Sequence, residues 1–252
     1  MSEIQSLTRG LLIVDMVWQA GRSVGITELA EKLGVDKSSA SRLVKTLVAS
    51  GYLQQERGSR RFVVGSRLYQ MGWELVNRMP LREKARKYLY RLVNDTEECA
   101  HTAMYSEGKA LMIDDVEAVH SLRVVGGVGR MLPMHCTAVG KTLLAFGKLP
   151  LPATLERKMP NTFTDPNALI HHLAQVCEQG YAYDDEEHQP GVRCLAAPVY
   201  NMAGIAVAAI GISGPTVRVT EDRVSVLAGH VMRAARELSA ELGYEDEINE
   251  RI

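Results

Sequence analysis

Residues 26–65 constrain this chain most. Their centre, Asp36-Lys37-Ser38-Ser39-Ala40-Ser41-Arg42-Leu43-Val44-Lys45-Thr46-Leu47-Val48, places Ala40, Leu43, Val44, Leu47 and Val48 at helical spacing, so one face of the segment is apolar. Ser38, Arg42, Lys45 and Thr46 fall on the other face. Before it, Glu28 to Leu33 reads as a short helix with Thr27 as its expected N-cap, because a threonine oxygen can accept from a free N–H of the first turn. Gly34 supplies the stop and the turn. Asp36 is placed to cap the following helix. Gly51 ends that helix, and Tyr52 to Glu56 and Arg61 to Val64 read as two strands around Arg57-Gly58-Ser59-Arg60. Helix, tight turn, helix and basic-tipped hairpin together describe a winged helix-turn-helix.

A helix with an apolar back and a small, hydroxylic, basic front fits the major groove of double-stranded DNA. Ser38, Ser39 and Arg42 are expected at base edges, with Lys45, Arg57, Arg60 and Arg61 on phosphates. The charge distribution agrees. Residues 1–66 carry nine basic and six acidic side chains, a balance of +3 that leaves −4 for the remainder. A mildly basic module is joined to a mildly acidic body.

The rest of the chain is then what controls this module. Leu7 to Gln19 reads as a helix with Leu7, Leu11, Val14 and Trp18 on one side. Ser66 to Met79 reads as a linker helix whose stripe of Leu68, Met71, Leu75 and Val76 suits pairing with a second copy. Pro80 marks a boundary, and an amphipathic helix follows to about Thr96. Strands are expected at Cys99–Tyr105, Ala110–Val116, Leu122–Val125, Met131–Cys136, Tyr181–Asp184, Leu195–Tyr200 and Ile205–Ile212. Helices are expected at Ala138–Phe146, Ala153–Met159, Asn167–Gln179 and Thr220–Leu242. The fold class is α+β with a mainly antiparallel sheet. The expected domains are a DNA-binding winged helix over 4–66, a linker helix over 67–80 and a sensor-like domain over 81–246.

Several tempting chemistries fail on spacing. Ala138-Val139-Gly140-Lys141-Thr142 has His135 where a phosphate-binding loop needs its first glycine. Gly126-Gly127-Val128-Gly129 suits a turn better than a dinucleotide fingerprint. The four cysteines and seven histidines form no zinc spacing, HExxH or nucleophile elbow. No cofactor, metal or catalytic residue is expected, and an enzyme with an assembly module is the disfavoured alternative. The uncharged run from Cys194 to Val217 is broken by Pro198, Asn201, Gly204 and Pro215, so two buried strands explain it better than a membrane span. With no signal peptide at its start, the chain reads as cytoplasmic. Asp184-Asp185-Glu186-Glu187-His188 reads evenly as a solvated loop or a functional one.

Order and content of these blocks resemble the IclR family of bacterial transcriptional regulators. The resemblance runs through Ser6 to Leu11, Leu29 to Glu31, Ser38 to Gly51, Leu132 to Lys141, Gly180 to Glu187, Gly191 to Val199 and Ile210 to Pro215. It implies a C-terminal GAF-like domain that senses a small metabolite, commonly an organic acid, in a dimer or a dimer of dimers. It also implies pocket positions. Leu132 forms an apolar wall, Ala138 and Val139 offer N–H groups at a helix start, and Asp184 accepts from a ligand hydroxyl. Val192 and Cys194 line the space, and Ser213 donates. Gly211 stands where relatives can carry serine, which implies a lost donor and added room. The expected function is a repressor of a metabolic operon of the catabolic kind, with an activator as the alternative.

Overall fold

A computed structural model of the chain describes residues 4–77 and 79–245. It divides into two compact units, Met1–Arg78 and Met79–Ile252.

The first unit is built on α1 (Gln5–Ala20), β1 (Val24–Gly25), α2 (Ile26–Leu33), α3 (Lys37–Ala49), β2 (Leu53–Gln55), β3 (Arg61–Val64) and α4 (Ser66–Asn77). Ile13, Val17, Val24, Leu29, Val44, Leu53 and Phe62 form its core. Gly34 closes α2 at φ 65°, a left-handed conformation that glycine adopts without steric cost. Two details differ from the sequence expectation. Helix α2 begins at Ile26 with Gly25 as its cap. Thr27 therefore lies inside the first turn, because Val24 and Gly25 pair with Phe62 and Arg61 as a third strand of the wing sheet. In α1 the expected apolar face points outward: Ile13 and Val17 are buried while Leu7, Leu11 and Trp18 are exposed. Apolar residues lie on both sides of this helix, so periodicity alone does not say which side turns inward.

Helix α4 leaves Tyr69, Met71, Trp73 and Leu75 exposed. Leu68 is half-buried. Of the expected stripe, the Val76 side chain lies outside the described residues.

The second unit holds α5 (Pro80–Thr96), β4 (Cys99–Ser106), β5 (Lys109–Val116), β6 (Met131–Leu132), α6 (Ala138–Gly147), α7 (Pro166–Gln179), β7 (Ala182–Asp185), β8 (Val192–Tyr200), β9 (Ala206–Pro215) and α8 (Val224–Glu241). A 3-10 turn, Glu221–Arg223, leads into α8. Six strands form one antiparallel sheet in the order β6-β5-β4-β9-β8-β7. Side chains alternate across it. Leu195, Val199, Ile210 and Ile212 meet Leu89, Leu92, Val231 and Leu238 of α5 and α8. Ala103, Met112, Ala196 and Ala209 meet Val139, Leu143, Leu169 and Leu173 of α6 and α7. The small residues on this second face let α6 approach closely.

Two expected elements are absent. Leu122–Val125 is irregular rather than a strand. Its carbonyls are taken by side chains: Arg218 Nη1 donates to Leu122 O at 2.9 Å and Cys99 Sγ donates to Val124 O at 2.8 Å. Ala153–Met159 is irregular rather than helical. Its backbone is satisfied by a nearby side chain, since Thr162 Oγ1 accepts from Lys158 N and Met159 N at 3.1 and 2.8 Å. The expected strand at Met131–Cys136 shrinks to Met131–Leu132, because the chain turns there into the start of α6.

Candidate functional site

In the first unit, α3 presents the residues singled out for DNA contact. Asp36 caps the helix, its carboxylate accepting from Ser39 N at 2.8 Å. The Ser38 hydroxyl also donates to that carboxylate. These hydrogen bonds, the one from Ser38 first, hold the Asp36 carboxyl far below its ordinary range. Ser38 thus spends its one proton on the cap and keeps only acceptor capacity. Ala40 and Val44 anchor the opposite face in the core. Arg42 and Lys45 are exposed. Arg42 Nη2 lies 3.5 Å from Ser39 Oγ, and neither cation meets a carboxylate among the described residues.

The wing tip is held by Ser59 Oγ donating to Glu56 Oε2 at 2.8 Å and by Gln55 Nε2 donating to Ser59 O at 2.8 Å. Arg57 and Arg60 are exposed at this tip. Arg61 is held differently, with a side chain that is partly exposed and also bonded within the unit. Its Nη2 donates to Ser23 O at 2.6 Å, its Nε to the same carbonyl at 3.1 Å, and it pairs with Glu28 at 3.5 Å. It fastens the wing to the turn before α2.

In the second unit, seven of the eight residues expected around an effector line one cavity: Leu132, Ala138, Val139, Asp184, Val192, Cys194 and Ser213. Its volume is about 80 Å³, against roughly 10–15 Å³ for a single water on the same measure. Gly211 is the exception. A Cβ there would lie 2.2 Å from the Leu195 carbonyl oxygen. Its missing side chain therefore makes way for the neighbouring strand, not for a ligand, and the expected added room is absent.

The start of α6 opens on the cavity. Thr137 caps the helix, accepting from Gly140 N at 3.1 Å and donating to Pro133 O at 2.7 Å. Ala138 and Val139 come next, and no carbonyl within the helix reaches the N–H groups of its first residues. The N–H groups and the positive helix end favour a carboxylate. Gly140 is required by packing: a Cβ would meet Met134 O at 2.4 Å. Lys141, at the position that resembled a nucleotide-loop lysine, is fully buried. It pairs with Glu187 and donates to Tyr183 O at 2.5 Å.

The acidic run is a framework and not a solvated loop. Asp184 accepts from Glu187 N at 2.8 Å, Asp185 pairs with Arg193 at 2.7 Å, and Glu186 accepts from Gly191 N at 2.6 Å. Burial, then the nearby Glu187 charge, raises the Asp184 carboxyl to about 7. Burial alone drops His101 to about 4, so it is neutral. Ser213 Oγ donates to Cys194 Sγ at 3.0 Å and lies 3.5 Å from His101 Nδ1. Burial pushes the Cys194 thiol up strongly, which leaves it unreactive. Sequence reasoning missed His101, Met112, Asp115, Arg130 and His188 in this lining. The Gly126–Gly129 turn was visible, but nothing in its spacing said that it borders a cavity.

Two family models match: the IclR helix-turn-helix domain over residues 6–57 and the bacterial transcriptional regulator IclR C-terminal domain over residues 73–240. The chain belongs to the IclR family. It is 34% identical over 255 residues to the HTH-type transcriptional regulator BhcR of Paracoccus denitrificans, covering 98% of this chain and 91% of that protein. It is 33% identical over 249 residues to the transcriptional repressor IclR of Escherichia coli, covering 96% and 91%. The crystal structure of Thermotoga maritima IclR superposes with a TM-score of 0.77 at 28% identity, over 96% of this chain and 100% of that one. As an IclR-family member the chain is a DNA-binding transcriptional regulator with a C-terminal effector-binding domain, and the family is one of regulators, not enzymes. Among the described residues no helix is long and apolar enough to cross a membrane.

Proposed function

We propose that this regulator is a cytoplasmic repressor of a metabolic operon, released from or locked onto double-stranded DNA by a small organic acid. The lining of the cavity carries the ligand reading. It offers a helix start for a carboxylate, a neutral His101 and a neutral-leaning Asp184 that do not repel an anion strongly, and apolar walls from Leu132, Val139 and Val192. Its volume of about 80 Å³ is several times what a single water needs. Repression is favoured over activation by relatives such as Escherichia coli IclR, which is itself a repressor.

The working form is a dimer or a dimer of dimers. The exposed Tyr69, Trp73 and Leu75 of α4, with Leu7, Leu11 and Trp18 of α1, are large apolar side chains of the kind that association covers. Two copies of α3 would then face half-sites about 34 Å apart. The acid regulates only through its different affinity for the DNA-competent and DNA-incompetent arrangements. In the DNA complex Ser38, Ser39 and Arg42 read bases, and Lys45, Arg57 and Arg60 neutralise phosphates. Calorimetric titration of small acids tests the ligand reading. Binding that Ser213→Ala weakens supports it; binding that Ser213→Ala leaves unchanged removes Ser213 from the site.

A further inference from the structure

The start of α6 gives the cavity one seat for a carboxylate. A second cationic feature of the same cavity has no role in that reading. Arg130 follows the glycine-rich turn, and it is the only arginine or lysine among the described residues that lines the cavity. Its backbone is pinned on both sides: Arg130 N donates to Gly127 O at 3.2 Å, and Arg130 O accepts from Met112 N at 2.9 Å. The turn is shaped around its stem, since a Cβ on Gly127 would lie 2.7 Å from Arg130 Cδ.

Other arginines of this unit are spent on carboxylates. Arg86 is bound to Asp114, Arg193 to Asp185 and Arg218 to Glu98. Arg130 meets no carboxylate among the described residues. Arg130 is solvent-exposed at the edge of the cavity, and an unpaired guanidinium on a pinned backbone is a ready partner for an anion, because its planar fork matches a carboxylate at two points.

The position of Arg130 adds a direction. A shallower groove lies beside the cavity, bordered by Lys109, His135, Glu156 and Lys158, and it shares Arg130, Leu132 and His188 with it. Burial, then the charges of Arg130 and Lys158, lowers the His188 pKa, so Arg130 is the fixed charge of that shared rim. Ala138 and Val139 line the cavity but not the groove. The helix start is therefore the inner seat and Arg130 the outer one. His101, Cys194 and Ser213 share the same lining with the carboxyl groups of Asp115 and Asp184, both raised by burial.

We propose that Arg130 is a second anion seat, and that the effector is a short dicarboxylate held at one end by the start of α6 and at the other by Arg130. This rests on the organic-acid reading and narrows it from one carboxylate to two.

The test is calorimetric titration of the full-length protein with matched pairs of acids, butanoate against succinate and pentanoate against glutarate. The proposal predicts that a diacid binds at least tenfold more tightly than its monoacid. Arg130→Gln should bring the diacid down to the monoacid's affinity and leave the monoacid unchanged, while Arg130→Lys keeps part of the preference. An unchanged unfolding midpoint in Arg130→Gln shows that its fold is intact. Equal affinity for both acids in the unmodified protein overturns the proposal and leaves the organic-acid reading standing. So does an equal loss of both in Arg130→Gln, which would make the residue a general attractor. Absence of binding by all four acids, each at millimolar concentration, removes the organic-acid reading and this proposal with it.

Discussion

The face of α3 and the cavity beside α6 are built by opposite rules. The α3 face comes from one continuous segment, Lys37–Ala49, and its working groups stand in water. The cavity is gathered from Cys99 to Ser213, and His101, Thr137, Asp184 and Ser213 of its lining are buried, with Arg130 exposed at its edge. An exposed face can change its chemistry without touching the fold. The buried part of the cavity cannot, because His101, Asp184 and Ser213 are also structural parts. This arrangement keeps operator choice and ligand choice independently adjustable.

The sharpest break in this comparison is expected at Lys141. Its ammonium is buried against Glu187 and behind the cavity-facing start of α6. Lys141→Ala leaves a buried carboxylate without its partner, which costs roughly 3–5 kcal/mol. Thermal unfolding of the effector unit checks this. A midpoint equal to that of the unmodified protein would show that the pair is not structural.

Arg42 should behave the other way. Arg42→Ala should leave the unfolding midpoint unchanged and cost about 1–3 kcal/mol of discrimination between target and random DNA. Equal losses on both would reassign Arg42 to phosphate. Within the wing, Arg60→Ala should weaken target and random DNA together and reduce the salt slope by about 0.9. Arg61→Ala should lower stability instead, since Arg61 holds Ser23 and Glu28.

A pH-dependent effect belongs to Asp184, whose carboxyl is raised from 3.8 to about 7 by burial and Glu187. Between about pH 4 and 7 the unfolded chain has lost this proton while the folded chain keeps it. Stability therefore falls as pH rises through that window and levels off above it. Asp184→Asn removes this slope, so the variant should gain on the unmodified protein as pH rises. Parallel curves of unfolding midpoint against pH would contradict the assignment.

The same contrast explains what could be read in advance. Helix periodicity, the Asp36 cap and the Gly34 and Gly51 stops all lie within a few residues of what they control, so α2, α3 and the wing hairpin were legible. The hold of Arg61 on Ser23 was not legible, because the two are 38 residues apart. The outward Leu7, Leu11 and Trp18 face of α1 was likewise hidden, since two apolar sides give no sign of which is inside. The cavity was legible only through family resemblance. Arg130 and His101 escaped even that, because no local pattern ties either to a pocket. Gly211 was misread for the same reason: the carbonyl that fills its space belongs to Leu195, on the adjacent strand.

The central claim is that occupancy of this cavity sets DNA occupancy. A duplex selected from a random pool by the full-length protein provides the probe. Its affinity is measured with and without whichever acid raises the unfolding midpoint, in the unmodified protein and in Cys194→Trp, which fills the cavity. The account predicts a change of roughly 5–150-fold on adding the acid to the unmodified protein, and no change in Cys194→Trp. An acid that saturates the cavity while DNA affinity stays constant would contradict it.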